Sequence, residues 1–194
     1  MKKLIVLDID GVLNNTSFHD KWMNEHVKLG TRNWLENKFQ SLFYYVSDNR
    51  FYNGYIVPEN LNNFNEIIDE TGANIVISSD WRYVQDGLYR TFETLDCIST
   101  LFEFRGIKGK VIGATPHVRD YDRSTEILRW LLHNDIKDTR VLILDDIDVK
   151  DVVTAMKERW GFKDIKFLHM NYKTGLTKED KEEAIKWLNE GTNV

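Results

Sequence analysis

Residues 4–14 read LIVLDIDGVLN, an apolar run followed at once by two acids and a glycine. A continuous apolar run of this kind is typical of a strand buried on both faces, as in a parallel sheet. Strand alternation sends Asp8 and Asp10 to the same side, and Gly11 allows the backbone to leave the sheet sharply. Because ligands bind at the carboxyl ends of strands in such sheets, the segment predicts a functional site.

Two carboxylates so close in sequence are costly to hold together unless a cation or a shared proton relieves their repulsion. The simpler interpretation is a strand that ends in a polar turn, which would be preferred for an arbitrary Asp-x-Asp. The preceding apolar run, the glycine and the position near the N-terminus favour the functional interpretation here.

The composition predicts a single domain over residues 1–194, long enough to bury a sizeable core. A net charge of −5 argues against broad, non-specific binding to nucleic acid. The single cysteine, Cys97, excludes an internal disulfide and fits a reducing compartment. Asp8 interrupts the first apolar run too early for a signal peptide, and no segment approaches the length of a membrane span. We therefore expect a cytoplasmic protein with no membrane partner.

Residues 15–57 lack clean periodicity and are rich in aromatic residues, which predicts a small inserted cap. Helices are expected within it near Asp20–Leu29 and Thr31–Phe43. The aromatic residues would form the cap's own core, although some could stack on a base or ring of a substrate.

From Pro58 onward, helical and strand patterns alternate. Helices are predicted over Glu59–Thr71, from Arg123, after Asp148 and from Thr177, and residues 83–106 are predicted to be helical in part. Buried strands are predicted at 73–77, 111–114, 141–144 and 165–168. This alternation indicates right-handed parallel crossovers, and so an α/β fold with a Rossmann-like parallel sheet flanked by helices.

Polar side chains follow several of these strands. Ser78 could donate a hydrogen bond to an oxyanion beside the first two acids, although serine also commonly opens helices. Asp145 and Asp146 form a second carboxylate pair, and such oxygen-rich clusters suit Mg²⁺. Arg123 begins a helix, where the macrodipole slightly disfavours a cation, and this favours a functional role over a solvated one.

In chain order, these features are an Asp-x-Asp-Gly, a serine, a basic residue before a helix, and an Asp-Asp pair. The series resembles the haloacid dehalogenase-like (HAD) phosphohydrolase superfamily. The sequences of the motifs are similar to those of a narrower branch, the HAD domain of "Swiss army knife" RNA-repair proteins. It is carried by LDIDGVLN at 7–14, ISSDWR at 77–82, LDD at 144–146 and GLT at 175–177.

The resemblance implies a HAD fold with the cap inserted after strand one, and it implies roles for the residues at the strand ends. Asp8 would be the nucleophile that forms an aspartyl-phosphate. Asp10 would be the general acid for the leaving group and then the base for water. Ser78 would bind the phosphoryl oxygens, and Arg123 would neutralise their charge in place of the family's more frequent lysine.

By the same resemblance, Asp145 would bind Mg²⁺ together with Asp8 and the backbone carbonyl of Asp10. Asp146 would support the metal through water or steady Arg123. An Asp two places past the nucleophile favours phosphatase over dehalogenase chemistry.

These features together predict a Mg²⁺-dependent phosphomonoesterase. Its substrate would be a nucleotide, another phosphorylated small molecule or a phosphorylated nucleic-acid end. Further substrate contacts are expected from Gly11, Ser79, Arg82 and Arg119. One alternative is a receiver-type signalling domain, which would carry its phosphorylated Asp mid-chain and a lysine near its end. Another is a non-catalytic domain that binds a nucleotide or phosphate. The sequence does not indicate an oligomeric state.

Overall fold

The computed structural model describes residues 1–17, 56–79, 83–86, 89–92, 99–100, 102–103, 105–117 and 122–190. Of the predicted cap, only residues 15–17 and 56–57 fall within these ranges. Both helices expected in the cap lie outside the described residues, so the cap stays a prediction.

The described residues form seven strands and four helices of at least 11 residues. The strands are β1 (Lys2–Leu7), β2 (Asn74–Ile77), β3 (Tyr83–Asp86), β4 (Tyr89–Phe92), β5 (Val111–Ala114), β6 (Thr139–Asp145) and β7 (Ile165–His169). The helices are α1 (Pro58–Thr71), α2 (Arg123–His133), α3 (Lys150–Trp160) and α4 (Lys178–Asn189). The longest of them, α1, has 14 residues. Among the described residues, therefore, no helix has the length and apolar character of a membrane span.

Five of the strands form one sheet in the order β5-β2-β1-β6-β7, and every pairing in it is parallel. Strand β1 lies at the centre and alternates its side chains between two cores. Ile5 and Leu7 face a core that includes residues of α1 and α4, whereas Leu4 and Val6 face a core that includes residues of α2 and α3. The helices therefore cover both faces of the sheet, as parallel strands require.

The structure confirms the predicted α/β class, the parallel sheet and all five of its strands. It also confirms the predicted end of helix α1 at Thr71. Helix α1 stops at Gly72, and α3 stops at Gly161, both in the left-handed conformation. Thr177 and Asp180 form a reciprocal capping box at the start of α4, the helix predicted from Thr177.

The prediction that residues 83–106 are helical in part is confirmed for later residues of this range, but the two strands at its start were not predicted. Strands β3 and β4 pair there as an antiparallel hairpin, and helical residues follow at 99–100 and 102–103. Tyr83, Val84, Tyr89, Thr91 and Phe92 explain the difference, because aromatic and β-branched residues favour strands.

The loop between β7 and α4 is held against the loop that follows β1. Leu176 donates its backbone N–H to the carbonyl of Val12 at 2.9 Å, and its side chain is fully buried. Asn60 of α1 donates to the same Val12 carbonyl at 3.1 Å, and Asn63 donates to the Leu176 carbonyl at 3.0 Å. These hydrogen bonds hold in place the loop that carries Asp10.

Gly175 leaves no room for a side chain in this network. Its φ is +67°, and a Cβ there would meet Asn60 Nδ2 and lie 2.6 Å from the Val12 carbonyl oxygen. Gly161 has nearly the same φ, +65°, with nothing within 4 Å of its Cβ position. Comparing substitutions at the two glycines therefore separates the cost of a left-handed backbone from the cost of a steric clash.

We predict that Gly175→Ala destabilises the protein more than Gly161→Ala does. Left-handed backbone costs an alanine about 1–2 kcal/mol at either position, and overpacking adds about 1–3 kcal/mol at Gly175 alone. Chemical unfolding of both variants measures the difference. Equal losses in the free energy of unfolding would contradict the packing described here.

Candidate active site

The ends of three neighbouring strands bring polar residues to one edge of the sheet. Asp8 follows β1, and its N–H donates to the Leu144 carbonyl of β6 at 2.9 Å. Ser78 follows β2, and its N–H donates to the Leu7 carbonyl at 2.8 Å. These bonds continue the parallel ladder past the strands, and so they keep the polar side chains at one level.

Three carboxylates meet at this edge. Asp8, Asp145 and Asp146 each place a carboxylate oxygen within 4.8 Å of the others. Asp8 is 3% exposed, Asp145 is fully buried, and Asp146 is half-buried. Acids from the start and the later part of the chain are therefore brought together, as expected. An all-oxygen donor set suits Mg²⁺, and this cluster could bind a metal ion.

Arg123 is the cation that the structure places among these acids. It is the first residue of α2, whose N-cap, Asp122, accepts a hydrogen bond from the backbone N–H of Thr125. Its Nη1 lies 3.4 Å from Asp8 Oδ1 and 3.4 Å from Asp145 Oδ2. Among the described residues, one guanidinium lies beside three carboxylates. When these carboxylates are ionised the group carries excess negative charge, which a divalent cation would relieve.

The acids respond to this environment with raised pKa values. Burial raises the pKa of Asp8 to about 8, and repulsion from Asp145 adds to it while Arg123 opposes it. Burial likewise raises the pKa of Asp145 to about 6, again against the effect of Arg123. The pKa of Asp146 is raised by burial as well. Without a further cation, each of these carboxyl groups therefore keeps its proton to a higher pH than an exposed aspartate does.

The hydroxyls of Ser78 and Ser79 differ in their hydrogen bonding, although both residues are fully buried. The Ser78 hydroxyl accepts a hydrogen bond from Thr115 Oγ1 at 3.3 Å, at the end of β5. The Ser79 hydroxyl has no hydrogen-bond partner among the described residues, yet it lies near enough to the Asp8 carboxylate to lower its pKa. A buried hydroxyl without a partner carries a desolvation cost, which a ligand oxygen could offset.

Asp10 and Gly11 begin the loop that leaves the sheet. The Asp10 residue is exposed, and its carboxylate accepts a hydrogen bond from Asn14 Nδ2 at 2.7 Å. Its side chain is not part of the three-carboxylate cluster. Gly11 has a φ of +75°, and the Asp146 carboxylate occupies the place of a side chain, with Cγ 2.5 Å from a Cβ position. Gly11 thus allows Asp146 to approach the loop.

The structure places Asp8, Ser78, Ser79, Arg123, Asp145 and Asp146 together, with Asp10 and Gly11 on the adjoining loop. Their catalytic, substrate-binding and metal-binding roles stay predictions. Arg82 and Arg119, the other two predicted substrate contacts, lie outside the described residues.

Sequence reasoning assigned no role to several polar residues near this edge. Thr115 follows a strand as Ser78 does, and that position was the available signal. Asn14 stands in the LDIDGVLN motif but only the structure reveals its bonds. Glu126 is buried on α2, where its Oε1 lies 3.1 Å from Nδ1 of His117. An acid in the first turn of a helix is usually exposed, so no signal pointed to it.

The fold and site together define a parallel α/β domain with an acidic centre at the carboxyl edge of its sheet. Comparison with known families gives a match to the family described as "HAD domain in Swiss Army Knife RNA repair proteins", over residues 4–181. The chain therefore belongs to this family of HAD domains, whose fold is of the phosphatase type.

Among solved structures, the chain is similar to the HAD domain of effector protein Lem4 from Legionella pneumophila and to an inactive mutant of that domain. Each is 17% identical with a TM-score of 0.50, and each alignment covers 94% of this chain. The alignments cover 93% of the first neighbour's chain and 92% of the second neighbour's chain. At this identity the likeness shows the fold alone. No curated protein matches the chain.

We predict that Mg²⁺ stabilises the protein increasingly as the pH rises from 5 to 8. The pKa values of Asp8 and Asp145 are raised from 3.8 to about 8 and about 6. Their contribution to stability is therefore complete below pH 3.8 and is lost as the pH rises through 6 and then 8. A bound cation would compensate for this loss, by about 2.7 kcal/mol when its concentration is about 100 times Kd.

Chemical unfolding with EDTA or with Mg²⁺, at several pH values, measures this increment, which is the gain in the free energy of unfolding that Mg²⁺ produces. Asp8→Asn should reduce both the increment and its dependence on pH. Asp148→Asn is the matched control, because Asp148 is exposed and pairs with Lys150. An increment that is absent or independent of pH would contradict the assignment of a metal site.

Proposed function

We propose that the protein is a Mg²⁺-dependent phosphomonoesterase that acts through an aspartyl-phosphate on Asp8. The observation that carries this proposal is the sheltered Asp8 carboxylate, which shares the Arg123 guanidinium with Asp145 at 3.4 Å from each. Membership of a HAD family supports the same reaction class.

The residues present fit a magnesium ion. Asp8, Asp145 and Asp146 would hold it, together with the backbone carbonyl of Asp10. When bound, Mg²⁺ would offset the charge of the acids and of the incoming phosphate, so that the nucleophile stays ionised.

In the proposed reaction, an Asp8 oxygen attacks phosphorus and the bond from phosphorus to the ester oxygen breaks. Asp10 gives its proton to the departing oxygen, so that the alcohol leaves neutral. Asp10, now ionised, takes a proton from a water molecule, which attacks the phosphorus of the aspartyl-phosphate. As the water oxygen bonds to phosphorus, the bond from phosphorus to the Asp8 oxygen breaks. Inorganic phosphate is released, Asp8 is again a carboxylate, and Asp10 again carries its proton. Each step has a lower barrier than direct hydrolysis.

The other residues of the site would bind the transferring group. Charge in the transition state is spread over its equatorial oxygens, where fixed donors are most effective. Arg123 supplies a guanidinium that is already oriented by two carboxylates. Ser79 supplies a buried hydroxyl without a partner among the described residues, and Ser78 supplies a second hydroxyl, steadied by Thr115.

We predict that Asp8→Asn abolishes turnover of an aryl phosphate. Loss of a nucleophile lowers kcat by about 10³-fold or more, because the other residues cannot form the covalent intermediate. Release of 4-nitrophenol from 4-nitrophenyl phosphate, with Mg²⁺ and with EDTA, measures the effect. Asp148→Asn serves again as the control and should retain activity.

If the wild-type protein binds phosphate but turns over no phosphate ester with any divalent metal, the proposed enzyme is wrong. That result would support the alternative of a non-catalytic phosphate-binding domain.

For the substrate, we propose nucleotides or the terminal phosphates of nucleic acids, hydrolysed in the cytoplasm. The family description, which refers to RNA repair, supports this proposal. The many aromatic residues between 18 and 55 add to it, because aromatic rings can stack on bases of any identity.

We predict that oligonucleotides with a 3′- or 5′-phosphate are hydrolysed with a higher kcat/KM than sugar phosphates. Bases would contribute binding energy that a sugar phosphate cannot provide, and stacking is worth about 1–3 kcal/mol per base. Phosphate release from matched concentrations of each substrate tests this. A preference for sugar phosphates would rule out the nucleic-acid assignment but leave the phosphatase assignment intact.

A further inference from the structure

Asn14 ends the LDIDGVLN motif, and its side chain connects two residues at the start of the same loop. Its Oδ1 accepts the backbone N–H of Gly11 at 2.8 Å, and its Nδ2 donates to Asp10 Oδ1 at 2.7 Å. Asn14 is only 9% exposed, whereas the Asp10 residue is exposed. A buried amide therefore anchors the carboxylate of an exposed residue.

The orientation of this amide follows from its partners. A backbone N–H can only donate, so the atom that faces Gly11 must be the carbonyl oxygen. The NH₂ group must then face Asp10, where it meets an acceptor. Flipping the amide would place a donor against the Gly11 N–H and an acceptor against the carboxylate, and both contacts would be lost.

The backbone of the loop leaves Asn14 little freedom to move. The N–H groups of Val12, Leu13 and Asn14 all point to the carbonyl of Ile9, at 3.3, 2.9 and 3.3 Å. This turn brings residue 14 back beside residues 10 and 11. The contact to Asp10 therefore belongs to a preformed turn, and no substrate is needed to create it.

We propose that Asn14 is a positioning residue that fixes the orientation of the Asp10 carboxylate. This inference rests on the proposed phosphatase, in which Asp10 is the general acid. The Asn14 amide holds Asp10 Oδ1 at 2.7 Å and is itself held by the Gly11 N–H, so the carboxylate keeps one direction relative to the loop. An acid held in a fixed direction can give its proton to the ester oxygen as the phosphorus–oxygen bond breaks.

Comparing substrates with different leaving groups tests this role. An alkyl alcohol is a poor leaving group and needs the proton during bond cleavage, whereas 4-nitrophenolate departs without it. A displaced acid therefore slows the alkyl ester far more than the aryl ester. A general loss of structure at the site would slow both esters alike.

The experiment compares kcat/KM for an alkyl phosphate and for 4-nitrophenyl phosphate in two variants. Asn14→Ala removes both contacts of the side chain. Asn14→Asp keeps an oxygen for the Gly11 N–H but removes the donor to Asp10. Asn15→Ala is the matched control, since the Asn15 side chain contacts the Thr174 carbonyl at 3.0 Å instead.

We expect both Asn14 variants to lower kcat/KM for the alkyl ester by about 10–100-fold, within the range of general acid catalysis. The value for the aryl ester should fall by less than about threefold, and Asn15→Ala should leave the ratio of the two values unchanged. In an Asp10→Asn background, Asn14→Ala should have no further effect on that ratio. An equal loss on both esters, or an independent effect in that background, would overturn the proposal.

A wild-type protein that hydrolyses neither ester would instead refute the proposed function. In that case, the unfolding of Asn14→Ala, Asp10→Ala and the double variant decides the structural part. Additive losses in the free energy of unfolding would show that Asn14 does not hold Asp10, whereas coupled losses would support the contact.

Discussion

The site depends on one electrostatic constraint. In the part of the chain that the structure describes, three carboxylates share one edge of a parallel sheet with one arginine. Asp8 and Asp145 lie at the ends of adjacent strands, and neither is appreciably exposed. Their burial is costly without positive charge, and the Arg123 guanidinium lies 3.4 Å from both. Its place at the start of a helix is slightly unfavourable, but the helix dipole is weak beside two buried carboxylates.

This constraint explains features of the surrounding structure that are otherwise unrelated. Asp146 completes the cluster only because Gly11 has no side chain where its carboxylate lies. The loop that carries Gly11 is supported by Leu176 and Asn60, which both donate to the Val12 carbonyl. The GLT segment is more than 160 residues away in sequence, yet through these bonds it sets the position of the first motif.

Most of the fold could be predicted from the sequence, because buried parallel strands and amphipathic helices have distinct periodicities. The hairpin at β3 and β4 was missed, since ten residues with mixed polarity fit a helix and a hairpin alike. The acids and Arg123 were found from their positions at strand and helix ends. Asn14 and the difference between Ser78 and Ser79 depend on side-chain hydrogen bonds across the turn and between strands, and no sequence period encodes those.

The structure gives Asp8 and Asp10 opposite environments, although only Ile9 separates them. Asp8 still belongs to the sheet and is buried, whereas Asp10 lies on the turn and its residue is exposed. In the proposed reaction these environments match the two tasks. A nucleophile benefits from shelter, since water competes with it for the phosphorus atom. A general acid must exchange its proton in every cycle, which exposure permits. The buried Asn14 amide holds one oxygen of this acid in a fixed position.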